Sequence, residues 1–154
     1  MNDIYLNIYN NLIKLTRNKS LYNQKVQDSF YDRMIIFFFH LAFLLKIFKN
    51  IESKSILQKF FDFSVKQLEL SIREIGYGDA SINKKMKDYV NLLFSIIDKI
   101  DSWENLETKD KIIIFKFYIE GSNNYENFVD YFEKYRNFLS KNTFKNLSKD
   151  ILSF

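Results

Sequence analysis

The residues that could do chemistry are few. The sequence has no cysteine and a single histidine, His40. Without cysteine, disulfides, thiolate metal sites and thiol nucleophiles are excluded, and one imidazole excludes any site that needs two. A nucleophilic triad requires a base beside its nucleophile, so His40 is the only imidazole that could act as general base or haem ligand. It sits midway along the most apolar stretch of the chain, Met34 to Leu45. A buried histidine satisfied by a hydrogen bond is the simpler reading there. Carboxylates are plentiful, but none forms the Glu-x-x-His pair of a di-metal site. Gly76-Tyr77-Gly78 has no preceding strand, no third glycine and no following Lys-Ser/Thr, so it is not a phosphate loop. These absences argue for a binding protein rather than an enzyme, with no catalytic residue, metal or cofactor expected.

The arginines are the next chemical signal. There are nineteen lysines but only four arginines, Arg17, Arg33, Arg73 and Arg136. Against that background an arginine marks a position where a planar, five-donor fork is needed and a point charge will not serve. The usual partner is a carboxylate held bidentately. Arg33 and His40 are two helical turns apart and share a face. Arg73 falls in the last turn of its helix, where a cation also suits the dipole. Arg33 or Arg73 is therefore expected to clamp a carboxylate such as Asp28, Glu74 or Asp79. Lys84, Lys85 and Lys87 cluster just beyond the glycine pair. They read as a solvated face or as a contact for an anionic surface such as ribosomal RNA or lipid headgroups.

These residues must be positioned by helices. The net charge is +4, with 47% hydrophobic and 18% aromatic residues, which is far from the composition of a disordered chain. At 154 residues, residues 1–154 form one domain large enough to bury a core. No stretch alternates with period two, and apolar residues recur at helical spacing throughout. Helices are expected over about 3–16, 29–49, 53–75, 79–100, 107–120 and 123–139, with a short one from about Thr143. Asp28 or Ser29 caps the second, with Asp32 placed as in a capping box. Gly76 stands where a left-handed residue ends the third, and Asp79 or Ser81 can cap the fourth. The second helix is apolar nearly all round and should be buried on several sides. The expected fold is a single compact all-α domain of six or seven helices around that buried central helix. The Met34–Leu45 run is too short to span a bilayer. The start, with Asp3 early and no basic leader, fits neither a secretory signal nor a transit peptide. The seventeen Phe and ten Tyr are core first, with some aromatic area left for an apolar client.

Asp28-Ser29, Arg33 and His40, then Arg73-Glu74-Ile75-Gly76-Tyr77-Gly78-Asp79 and Lys84-Lys85-Met86-Lys87, resemble the ubiquinol–cytochrome c chaperone family. That pattern reads Asp-Thr, Gly-Arg-Phe and Leu-His in one helix, then Leu-Arg-Glu-Met-Gly-Val-Gly-Asp at a helix junction. Arg17 also falls on a family position. The likeness runs from about Tyr9 to Leu147 and is strongest from Asp28 to Met86. Asp32 replaces the family's glycine before Arg33, Met34 replaces Phe, and Ile35 and Gln67 replace acids. Ile72, Ile75 and Tyr77 replace Leu, Met and Val.

The resemblance implies an assembly chaperone of the cytochrome bc1 complex. Its client would be newly made cytochrome b, held while haem is inserted and the complex is assembled. It implies Asp28, Arg33, His40, Arg73, Glu74, Gly76, Gly78 and Asp79 as the binding or organising set. Ribosome, the inner face of a bacterial membrane and a small partner subunit follow as further contacts, with no specific DNA. The protein would be cytoplasmic and peripheral at the inner membrane. The competing reading is a helical interaction module or membrane-surface adapter unrelated to respiration.

Overall fold

The structure is a computed structural model, and it describes residues 2–22, 29–149 and 152–154. Among these residues there are six α-helices and no strand: α1 Asn2–Thr16, α2 Phe30–Phe48, α3 Lys54–Ile75, α4 Asp79–Ile100, α5 Thr108–Tyr118 and α6 Tyr125–Ser140. Three 3₁₀ turns, Lys19–Leu21, Trp103–Asn105 and Lys145–Ser148, complete the path. The last of them takes the place of the short helix expected from Thr143.

The second helix is central, as its composition requires. Twelve of its residues are buried, including the unbroken run Met34 to Leu44. It packs against α1, α4 and α6. Its start is defined by Ser29, whose hydroxyl accepts from the Asp32 backbone N–H at 3.2 Å and donates to the Asp32 carboxylate at 2.8 Å. The Asp32 side chain thus returns to the capping hydroxyl rather than to a backbone N–H, a variant of the expected box. Asp28, the other candidate cap and a candidate site residue, lies outside the described residues.

Around α2 the core is built from rings. Phe132 of α6 stacks on Phe43 at 5.4 Å and on Phe115 of α5 at 5.5 Å. Trp103 meets Phe43 edge-on at 5.0 Å. Offset and edge-to-face pairs of this kind add to the gain from area burial. The aromatic abundance is therefore largely interior. At the other end of the fold, buried Asn11 donates to the Leu147 and Lys149 carbonyls at 2.9 and 2.8 Å. Those bonds tie the final 3₁₀ turn onto α1.

The junction between α3 and α4 shows why one glycine is demanded there and the other is not. Gly76 has φ 103° and its N–H bonds the Arg73 carbonyl at 3.0 Å, a left-handed helix end. Gly78 has φ −72° with open space where a Cβ would stand. Only Gly76 is thus required by the backbone. Gly76→Ala is expected to cost about 1–2 kcal/mol. Gly78→Ser is expected to change stability by less than about 0.5 kcal/mol, since serine supplies a cap as good as glycine or better. Urea denaturation of the two variants checks the contrast. Equal losses would mean that the junction is held by something other than its left-handed residue.

Candidate functional site

Arg73, in the last turn of α3, reaches across the junction. Its guanidinium donates to Asp79 at 2.7 Å and to Glu69, one turn back, at 3.2 Å. The hydrogen bonds from Lys66 and then Arg73 hold the Glu69 carboxyl below its usual range. Arg73 is one of the two arginines expected to form a clamp and Asp79 one of the three candidate carboxylates, but the fork gives one hydrogen bond to each of two carboxylates instead of holding one bidentately. Two expectations are corrected. Asp79 does not cap α4: the cap position is Gly78, without a side-chain bond, and Asp79 is the first helical residue. There its charge suits the helix dipole and its oxygens face Arg73. Glu74 is outside the clamp, and Glu69, which carried no sequence signal, is inside it. Arg136 makes the second arginine clamp, with both Nε and Nη2 at 2.9 Å from the same Glu104 oxygen.

His40 is fully buried and both ring nitrogens are engaged. Nδ1 lies 2.9 Å from the Ile36 carbonyl, and Nε2 lies 2.7 Å from the Tyr131 hydroxyl. A carbonyl can only accept, so Nδ1 carries the proton and Nε2 accepts from Tyr131. The Tyr135 hydroxyl donates to the His40 carbonyl at 2.7 Å. Burial, opposed by the Ile36 bond, lowers the imidazole pKa to about 3. This neutral histidine joins α2 to α6. Arg33, on the same helix, is exposed, so the two residues do not act at one surface.

Arg33 instead belongs to a groove of about 330 Å³ where α1, α2 and α3 converge. Its floor is apolar: Tyr9 and Ile13 from α1, Met34 and Phe37 from α2, and Leu68 from α3. Arg17, Arg33 and Glu74 carry charge around it, with Phe30 and Ile75 beside them. The convergence has a simple origin. The short connection from α2 to α3 makes them antiparallel, so the start of α2 meets the end of α3. Arg33 and Glu74, forty-one positions apart in number, are thereby brought to one opening. Arg17 closes the third side from the end of α1. Periodicity could not find this groove, because its lining comes from three helices and each contributes only a few residues.

The remaining candidates divide. Lys85 lies over the Tyr77 ring at 4.4 Å, a cation–π contact that braces the junction. Lys84 and Lys87 are exposed. Among the described residues, no helix is long and apolar enough to cross a membrane.

Among the described residues the site is thus an apolar, arginine-flanked groove in an all-helical fold, with a charged clamp beside it. The chain belongs to the ubiquinol-cytochrome C chaperone family, whose model matches residues 23–106, more than half of its length. The matched segment contains α2, the clamp and the glycine junction. The fold is shared with the crystal structure of the Cbp3 homolog from Brucella abortus, at a TM-score of 0.77 and 21% identity, over 94% of this chain and 84% of that one. No curated protein matches the sequence.

Proposed function

We propose that this ubiquinol-cytochrome c chaperone receives newly made cytochrome b and holds it before haem insertion and assembly into the bc1 complex. One observation supports this most: the family-matched segment supplies two of the three walls of an apolar groove, including Arg33 and Glu74. An apolar floor suits a client whose segments are themselves apolar. In this reading the Arg73–Asp79 clamp and Gly76 organise the α3 wall, and His40 organises the core behind it. The exposed Lys84 and Lys87 face an anionic surface, either ribosomal RNA or the headgroups at the inner face of a bacterial membrane. A small partner subunit would share the load, and no catalytic step is assigned to the chain.

Deleting the gene is expected to leave the cells with little assembled bc1 complex, read as loss of its b-type haem absorbance and of cytochrome b on immunoblots. Normal bc1 levels in the deletion strain would refute the proposal. A membrane-surface adapter predicts a different result. It would bind bare vesicles with an affinity that rises with anionic lipid and falls with salt.

A further inference from the structure

Residues 152–154 are not helical and lie against α6. The Phe154 ring is 5.4 Å from Tyr131, 5.6 Å from Tyr135 and 5.3 Å from Phe138. Those three positions are spaced by four and three, so they form one stripe of the helix. Leu152 packs on the core beside them. The same stripe holds the polar seam between α2 and α6. The Tyr131 hydroxyl donates to His40 Nε2 and the Tyr135 hydroxyl to the His40 carbonyl, each at 2.7 Å. Next to it is a half-open cavity of about 460 Å³, lined by Asn18, Asn127, Asp130 and Lys134 as well as by Tyr131, Leu152 and Phe154. A cavity of that size and polarity holds several waters. Tyr131 thus borders the cavity while it also holds His40, and Phe154 lies on its ring at that border.

We infer that residues 152–154 form a hydrophobic latch, with Phe154 seated on Tyr131, Tyr135 and Phe138 so that it seals the Tyr131–His40 hydrogen bond from the water of that cavity. The latch is held more weakly than what it covers. Among the described residues its ring contacts are to α6, and Phe154 is 43% exposed, whereas Tyr135 and His40 are fully buried. A short stretch with few buried contacts opens at lower cost than the helices beneath it. Release of the latch bares Tyr131, Tyr135 and Phe138 together, an aromatic face that the closed chain does not offer. It also lets water compete for a hydrogen bond that joins α2 to α6. The device stands on this geometry and does not depend on which client the chain binds.

The test compares the full native chain with Phe154→Ala. His40 is the only histidine and Trp103 the only tryptophan, so each gives one unambiguous ring N–H signal by nuclear magnetic resonance. The His40 ring N–H is expected to exchange with solvent about tenfold faster in the alanine variant, while the signal of Trp103, which is also fully buried, keeps its native exchange rate. Diethyl pyrocarbonate, which modifies accessible imidazoles, should label His40 in the variant faster than in the native chain, read by mass. Should the alanine chain melt early, Phe154→Val, which keeps apolar bulk near the backbone and loses the ring, carries the same comparison. Native exchange and labelling rates at His40 in the variant would overturn the inference. So would an equal rise at Trp103, since Phe154 would then support the whole fold and not one seam. Loss of the latch on these readouts leaves cytochrome b capture in cells untouched as a separate test of the chaperone reading.

Discussion

Replacing Phe132 with alanine is expected to destabilise the protein by about 3–5 kcal/mol, the range for deleting a buried aromatic ring. Phe132 is fully buried. Its ring lies 5.7 Å from Phe39, 5.0 Å from His40, 5.4 Å from Phe43 and 5.5 Å from Phe115. It therefore joins the central helix to α5 and α6 at one point. The neighbouring rings are large and themselves confined, so they can collapse only partly into the space left. For a protein of this size the melting temperature should fall by about 10–15 °C, measured by calorimetry or far-ultraviolet circular dichroism. Phe132→Leu keeps most of the volume and should cost less than half as much. Near-equal melting of the alanine variant and the native chain would show that the aromatic cluster is not the seam that holds the bundle.

The second large effect is acid sensitivity through His40. Its folded-state pKa is lowered from 6.5 to about 3, chiefly by burial. The native chain therefore keeps the ring neutral, while the unfolded chain protonates it near the ordinary value. Between those two values the unfolded state binds the extra proton, so stability is complete above about pH 6.5 and is lost as the pH falls. The slope is about 1.4 kcal/mol per pH unit, which makes the loss about 2 kcal/mol at pH 5. The carboxylates act in a lower window. Glu69 is held down by Lys66 and Arg73, and Asp101 by Lys49. Their contributions are present above the ordinary carboxyl range and disappear only as the pH drops through it. His40→Gln should flatten the stability profile between pH 6.5 and about pH 5 and leave the steeper acid limb in place. The comparison is of slopes, so it stands even if the variant is less stable at neutral pH. A native profile that stays level to pH 5 would contradict the buried neutral imidazole.

Much of this molecule was legible in its sequence, for identifiable reasons. The helix ends at Ser29 and Gly76 could be read because each uses a residue whose side chain or backbone freedom does a local job. The central place of α2 followed from its composition, since a helix apolar on every side has to be surrounded. The clamp was half legible. The rarity of arginine pointed to Arg33 or Arg73, with Asp79 as one of three candidate partners, but Glu69 gave no signal because exposed acids one turn from a basic residue are common on helices. Asp79 was misassigned as a cap for the same kind of reason. Acids are favoured both at the cap and just after it, and only the backbone of Gly78 separates the two.

The groove was the least legible feature. Arg33 and Glu74 were both singled out in the sequence, yet nothing local said that they face one opening. That relation depends on how α1, α2 and α3 pack, and packing is a property of three elements together. Phe30 and Ile75 carried no distinct signal either, since an apolar residue at a helix end reads equally as core. His40 went the other way. Its rarity made it a conspicuous chemical candidate, and the structure gives both its nitrogens to the interior.

The most direct measurement is crosslinking in living cells that are actively making the bc1 complex, followed by recovery of a tagged copy and mass spectrometry of what accompanies it. Enrichment of cytochrome b, above all the newly synthesised or haem-free form, is the predicted result, with crosslinks near Phe30, Arg33 and Ile75. Recovery of lipid or unrelated proteins alone, with cytochrome b absent, would contradict the chaperone role and leave only the shared fold.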